Sequence, residues 1–183
     1  KYEDHRKCKQ DPLWTDRYEP AHNKEMQSMM TRNVFTRLKR SDVPQGANIV
    51  KSKMIYALKL AADGSTDKYK ARLVAKGYSQ LWGIDYFESY APTPMHYIFR
   101  ILITLALTFG MVIRQFDIST AFLHGELNED IYMAFPPGME ERDENGNDLI
   151  VKLNYGLYGL KQGARSWNAT FHKSLIKLGF TRS

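Results

Sequence analysis

An α+β fold is predicted by two observations on this 183-residue chain. Strand-like runs come in pairs joined by short turns, at 49–76 and 131–153, and long stretches with helical apolar spacing lie between and after them. The apolar fraction of 43% is ordinary for a globular protein, so a real core is possible.

Residues 1–19 are polar and are expected to be irregular. Pro20 suits a first helical turn, Met26, Met29 and Met30 then share one face, and Asn33 is a natural stop. Residues 36–48 read as a loop, with Pro44 and Gly46 as breakers. A hairpin follows: an outgoing strand over 49–60, a turn at Asp63-Gly64, and a returning strand over 68–76. On the return, Lys70, Arg72 and Lys76 fall on one face and Tyr69, Ala71, Leu73 and Ala75 on the other, so one side packs and the other presents cations.

Residues 83–94 form a connecting loop rich in aromatics and prolines. Residues 97–109 are expected to be a mostly buried helix, with Arg100, Thr104 and Thr108 as its polar stripe and Gly110 as its stop. A strand is predicted over 111–116, with Asp117 at its end, and another over 131–135, closed by Pro136-Pro-Gly138. An acidic loop over 140–148, tipped by Asn145-Gly146, leads to its partner strand over 149–153. The last helix is expected over 161–178, with Ala164, Trp167, Phe171, Leu175 and Leu178 on one face and Gly179 after it.

The net charge of +6 favours a polyanionic partner such as nucleic acid or an acidic membrane surface, although a merely basic soluble protein has the same charge. Cys8 is the single cysteine, which excludes an internal disulfide and a thiolate cluster and suits a reducing compartment. Residues 1–10 are too charged for a signal peptide. The most apolar stretch, 101–113, falls short of the ~20 residues that span a bilayer, and Arg100 and Arg114 bracket it. No serine triad, zinc spacing or Walker phosphate loop is present. His22, His96, His124 and His172 have no ligand-like pairing and read as surface or loop residues.

Three places could carry chemistry. A carboxylate at a strand end, Asp117, is a fixed anion suited to a hard cation such as magnesium, or else a cap for the following turn. Lys59, Lys70 and Arg72 could close over a triphosphate, or form a solvated edge protected from aggregation by its charge. In Tyr155-Gly-Leu-Tyr-Gly-Leu-Lys-Gln-Gly163, closely spaced glycines before a helix let backbone approach another backbone, a base or a sugar, and Lys161 would favour phosphate.

An ordered series of motifs joins these places: Lys70-Ala-Arg-Leu-Val-Ala-Lys-Gly-Tyr-Ser-Gln80, Gly83-Ile-Asp-Tyr86, Glu88-Ser-Tyr-Ala-Pro92, Gln115-Phe-Asp-Ile-Ser-Thr-Ala-Phe-Leu-His-Gly-Glu-Leu127, Ile131-Tyr-Met133 with Pro136-Pro-Gly138, and Leu157-Tyr-Gly-Leu-Lys-Gln162 with Arg165-Ser-Trp167. The series resembles the reverse transcriptase domain of Ty1/copia retrotransposons over about residues 13–183. The resemblance implies an RNA-directed DNA polymerase domain of a polyprotein, with an irregular segment at 1–19, fingers at 20–94 and a partial palm at 95–183. It makes Asp117 a catalytic, magnesium-binding aspartate and the Ile118 carbonyl a second oxygen ligand. Thr120 and Ala121 would face the incoming triphosphate, and Phe122 would exclude a 2′-hydroxyl. Lys59, Lys70 and Arg72 become triphosphate contacts, with the leading role open between Lys70 and Arg72, while Gly159, Lys161, Gln162 and Arg165 would support template and primer.

Two Mg2+ ions are implied for the intact enzyme, and the implied partners are an RNA or DNA template-primer, deoxynucleoside triphosphates and the rest of the polyprotein (remaining palm, ribonuclease H, integrase), with no membrane. The cytoplasm is the expected location, with a virus-like particle or the nucleus as alternatives. The family's Tyr-x-Asp-Asp hairpin would follow Gly179-Phe180. No Asp-Asp pair occurs in these residues, and Glu126, Glu129 and Asp130 match a surface turn and are not expected to substitute. The chain therefore reads as a fragment without polymerase activity of its own. A non-catalytic nucleic-acid-binding remnant and a degenerate retroelement product are the competing readings. Departures from the family pattern at Met54, Met95, His124 and Gly163-Ala164 suit a decaying copy, and a divergent active lineage would also show some.

Overall fold

The structure is a computed structural model that describes residues 2–181. Its elements are β1 (Tyr2–Asp4), α1 (His5–Lys9), α2 (Trp14–Arg17), α3 (Glu19–Thr31), β2 (Phe35–Lys39), β3 (Ile49–Val50), β4 (Ser52–Leu60), β5 (Thr66–Ala75), α4 (His96–Thr108), β6 (Glu126–Ala134), β7 (Leu149–Tyr155) and α5 (Gly163–Lys177). They build two sheets, in the orders β1-β4-β5 and β2-β7-β6-β3, antiparallel except where β3 pairs β6. This is the predicted α+β class.

The 49–60 run divides at Lys51, with β3 in one sheet and β4 in the other. Two hydrogen bonds hold this crossing, from Lys76 N to Lys51 O (2.7 Å) and from Ser52 Oγ to Ala134 O (2.6 Å). One apolar cluster therefore spans both sheets, from Met29, Met54 and Tyr56 through Leu73 to Ile131, Met133, Val151 and Leu157.

The hairpin forms as predicted. Register runs from Ser52↔Ala75 to Leu60↔Thr66, and Gly64 takes φ +83° in the turn, a conformation glycine adopts without a Cβ clash. Asp63 Oδ1 accepts from both N and Oγ of Ser65, which fixes the turn locally. The predicted 149–153 strand is present within β7. Its partner, β6, starts earlier than expected, at Glu126, and its pairing is irregular between Glu126 and Ile131.

Several expectations are corrected. Residues 2–19 contain β1, α1 and α2 rather than an irregular segment: β1 extends the hairpin sheet, and Trp14 and Tyr18 pack edge-on to Tyr56. Tertiary contact supplies what a polar local pattern does not show. The first four residues of the expected 36–48 loop belong to β2 (Phe35–Lys39), a short edge strand on β7 whose Thr36, Arg37 and Lys39 are exposed, so its sequence reads as polar.

The 97–109 helix exists as α4, with Thr104 and Thr108 hydroxyls donating to the carbonyls of Arg100 and Thr104, but it is not buried: Ala106 is its one buried residue. Residues 111–118 form no strand and are exposed throughout. A strand needs a hydrogen-bonding neighbour, and none of the described strands pairs here. The last helix starts at Gly163, two residues later than predicted. Its expected apolar face is only partly covered, with Trp167 and Leu175 half-buried and Leu178 75% exposed. His22 is not a surface residue: it lies half-buried on α3, with Nδ1 2.8 Å from the Tyr56 hydroxyl. No described helix is long and apolar enough to cross a membrane.

Candidate nucleotide and nucleic-acid site

The cations of the β4–β5 hairpin share one face because residues paired across antiparallel strands point the same way. The pairs Ile55↔Arg72, Ala57↔Lys70 and Lys59↔Lys68 set Lys59, Lys68, Lys70 and Arg72 on that face, while Met54, Tyr56, Ala71 and Leu73 fill the core behind it. Lys68 was not singled out from the sequence. Its register opposite Lys59 is the signal that finds it. Lys59 forms an ion pair with Asp67 at 3.0 Å, and both groups are substantially exposed, so the pair adds little stability. Lys70 and Arg72 line a cavity of about 150 Å³ with Ile55, Ala57 and Val74.

Two elements close the outer edge of β5. From α3, Glu25 Oε1 accepts the Leu73 N–H at 3.2 Å; burial pushes its carboxyl above the usual range, partly opposed by that bond and by Arg72 and Arg32. From the glycine motif, the Tyr158 carbonyl accepts the Ala75 N–H at 2.8 Å. Gly159 has φ +87°, and a Cβ there would run into the Ala75 carbonyl, so these glycines serve a backbone-on-backbone approach.

This approach brings three predicted or adjacent residues together. The Arg72 Cζ lies 4.8 Å from the centre of the Tyr158 ring. The Phe122 ring stands at 86° to that same ring, with centroids 5.6 Å apart. Phe122 sits in a short 3-10 turn, Ala121–His124, pressed against the motif: Gly156 N donates to Gly125 O at 2.7 Å, and a Cβ on Gly156 would meet the Phe122 carbonyl. Thr120, at φ 55°, enters this turn in the left-handed region, and its hydroxyl donates to the Ser119 carbonyl.

The residues at the end of the motif and just beyond it are held by protein. Gln162 is 2% exposed; its Nε2 donates to the Asp85 carbonyl (2.7 Å) and its Oε1 accepts from Gln80 (3.0 Å). Asp85, also buried, accepts from Asn48 Nδ2 and Leu81 N, tying the 81–86 loop to the same network. Arg165 is ion-paired to Glu88, and the Lys161 ammonium lies 5.3 Å from the centre of the Tyr86 ring.

Asp117 is not brought into this assembly. It is exposed, among the described residues it makes no ion pair, and Ile118 beside it is 41% exposed. The nearby acids are engaged elsewhere: Glu126 with Lys173 (2.7 Å), Asp130 with Lys152 (2.6 Å), and Glu129 Oε2 with Gln162 (3.4 Å). Among the described residues no group of three or more His, Cys, Asp or Glu is placed to hold a metal ion.

The profile of the family described as "Reverse transcriptase (RNA-dependent DNA polymerase)" matches residues 33–183. This chain belongs to that family. Among its relatives, the retrovirus-related Pol polyprotein from transposon RE1 of Arabidopsis thaliana is 41% identical over 140 residues, covering 76% of this chain and 9% of that protein. The corresponding polyprotein from transposon RE2 of the same plant is 39% identical over 140 residues, covering 76% and 10%. The polyprotein from transposon TNT 1-94 of Nicotiana tabacum is 38% identical over 151 residues, covering 82% and 11%. The chain spans about a tenth of the length of these relatives. No solved structure matches it.

Reverse transcriptases use divalent metal ions. The residues of this reverse transcriptase chain do not by themselves fit a two-ion centre. One exposed carboxylate cannot replace enough of the hydration shell of two magnesium ions. The assembled part of the candidate site is the cationic face, Tyr158 and Phe122.

Proposed function

We propose that these residues form the fingers and part of the palm of a copia-type RNA-directed DNA polymerase, with fingers over 20–94 and palm over 95–183. The observation that carries this reading is the one-sided cationic hairpin, with Arg72 set against Tyr158 and Phe122. In this reading Lys59, Lys70 and Arg72 meet the triphosphate of a deoxynucleotide, and Phe122 lies beneath its sugar. Ile118, Thr120 and Ala121 border the phosphates. Gly159 and Gln162 shape the floor under template and primer, and Lys161 and Arg165 lie at its rim. Asp117 is one of several carboxylates serving two Mg2+ ions, and the others come from polypeptide beyond these residues.

The exposed apolar surface of α4 and of 109–118 supports such a completion. Patches of this extent on a soluble protein are normally covered by a partner surface. The intact protein would then carry ribonuclease H and integrase regions and act on an RNA or DNA template-primer, in the cytoplasm or a virus-like particle. The 183-residue polypeptide is expected not to incorporate labelled nucleotide on a primed template, because it supplies a single candidate metal carboxylate. Incorporation would refute this account of the metal centre.

Phosphate binding by the hairpin is tested separately. Binding of a nucleic-acid duplex should weaken steeply with salt, and the slope should flatten when Lys70 and Arg72 are changed to alanine. An unchanged slope would remove the hairpin from the duplex-binding surface. A second reading, a nucleic-acid-binding remnant without chemistry, is favoured by the solitary state of Asp117. It predicts the same salt slope, but no incorporation even when the polypeptide is extended to include an Asp-Asp hairpin.

A further inference from the structure

We propose that Tyr158 is a positioning residue for nucleotide binding. Its ring, braced by Phe122, holds the Arg72 guanidinium over the cavity of the hairpin and makes Arg72, rather than Lys70, the principal triphosphate contact. The proposal rests on the reading of Arg72 as a phosphate-binding group and adds the device that fixes its direction.

Arg72 and Lys70 occupy the same face two residues apart and line the same cavity. Their surroundings differ. The Arg72 Cζ lies 4.8 Å from the Tyr158 ring centre, within the range of a cation–π contact, whereas among the described residues no ring underlies the Lys70 ammonium. Glu25, anchored on Leu73 N, lies within the field of Arg72, which pulls its carboxyl down against burial, and burial together with Glu25 raises the Tyr158 hydroxyl's pKa against the opposing pull of Arg72 and Arg32. A flat, delocalised cation resting on a ring has fewer orientations to lose when it takes up phosphate, and its outward N–H groups can still fork onto two oxygens.

The ring itself is fixed from three sides. Its backbone carbonyl is bonded to Ala75 N, the following residue is a glycine whose close approach to β5 admits no side chain, and Phe122 meets it at 86°. Tyr158 thus bridges the fingers-side cation and the residue assigned to sugar selection. Neither a phosphate-binding motif nor the charge pattern marks it, because its role depends on the loop reaching β5.

The test uses the 183-residue chain, with inorganic triphosphate as probe and NMR of the arginine side chains as an independent readout. In the unchanged chain the Arg72 side-chain protons should be shifted upfield by the Tyr158 ring current. Their absence from the ring's shielding would overturn the proposal without any substitution. Tyr158→Phe keeps the ring and should retain both the shift and the affinity. Tyr158→Leu should abolish the shift and weaken triphosphate binding about fivefold, the size of a ~1 kcal/mol contact. Arg72→Ala should then cost less in the Tyr158→Leu background than in the unchanged chain.

If Arg72→Ala weakens binding but Tyr158→Leu does not, the proposal fails and the phosphate-binding reading stands. If Arg72→Ala leaves binding unchanged, the phosphate-binding reading fails, and the proposal with it, whatever the ring current shows. Should Tyr158→Leu not fold, the unchanged and Tyr158→Phe spectra still decide whether the ring holds the guanidinium.

Discussion

The β4–β5 hairpin and the stretch from α4 through Asp117 are both rich in apolar residues, yet they have opposite fates. In the hairpin, Met54 is 1% exposed and Tyr56 is fully buried, whereas Leu107 is 79% exposed and Val112 and Phe116 are each 82% exposed. The difference lies in the partners. The hairpin has β1 at one edge, α3 and the Tyr158 loop at the other, and the rings of His5, Trp14, Tyr18 and His22 against its buried Tyr56. The second stretch has no described strand to pair with and little to pack on. It still forms a helix where helical bonds are local, but it forms no strand, because strand bonds must come from elsewhere.

Substitutions that remove a buried ring or thioether should break this contrast most sharply. Tyr56→Ala should cost about 3–5 kcal/mol and Met54→Ala about 2–5 kcal/mol in a denaturant titration. Leu107→Ala or Phe116→Ala should change stability by less than about 0.5 kcal/mol. A comparable loss at Phe116 would mean that the second stretch is packed in solution.

A smaller effect is expected at the glycine that seals the edge of β5. Gly159→Ala combines a φ of +87° with a collision against Ala75 O. It should cost about 1–3 kcal/mol of stability by thermal melt. Gly146→Ala, in the open turn at φ +81° with nothing near its Cβ, should cost less, since only the backbone strain remains.

The buried side of the hairpin also carries a pH dependence. The Tyr56 hydroxyl lies 2.7 Å from His5 Nδ1 and 2.8 Å from His22 Nδ1, and burial raises the phenol's pKa, so it remains protonated. A phenol donates one proton, so the satisfied arrangement leaves one Nδ1 bare as acceptor. Burial, His5 and Lys9 lower the pKa of His22, with Glu19 opposing. A depressed folded-state value means that the unfolded chain takes up protons first. Stability contributed by neutral His22 is therefore present above about pH 6.5 and is lost as pH falls from there through the folded value. The melting temperature should drop between pH 7 and 5, and His22→Asn should flatten the drop. An equal drop in that variant would place the acid sensitivity elsewhere.

The smallest expected thermodynamic effect concerns the exposed stretch itself. Val112→Lys or Leu107→Lys should leave the melt almost unchanged while reducing dye binding to apolar surface. If dye binding stays constant, the exposed patch is covered in solution, for example by a second copy of the chain.

The hairpin, its turn and its cationic face were legible in the sequence because period-two alternation and Asp63-Gly64 are local signals. The motifs of the candidate site were legible as an ordered series, and the family match agrees with that series. Tyr158 as the neighbour of Arg72 was not legible, because the two positions lie far apart along the chain and only the approach of Gly159 to β5 unites them. The order in 2–19 was hidden for the same reason: Trp14 and Tyr18 look isolated in a polar stretch until β4 supplies Tyr56.

By itself the sequence determined what neighbours along the chain can decide: helical periods, turn positions, the alternating faces of β5 and the ordered motifs of a reverse transcriptase. Tertiary structure alone decided which apolar segments find cover. Residues 49–50 and 52–60 entered different sheets, and the strand predicted before Asp117 did not form. Hydrogen bonds within a helix or turn close over a few residues, but burial and strand pairing require a second surface, and no pattern in one segment guarantees that surface.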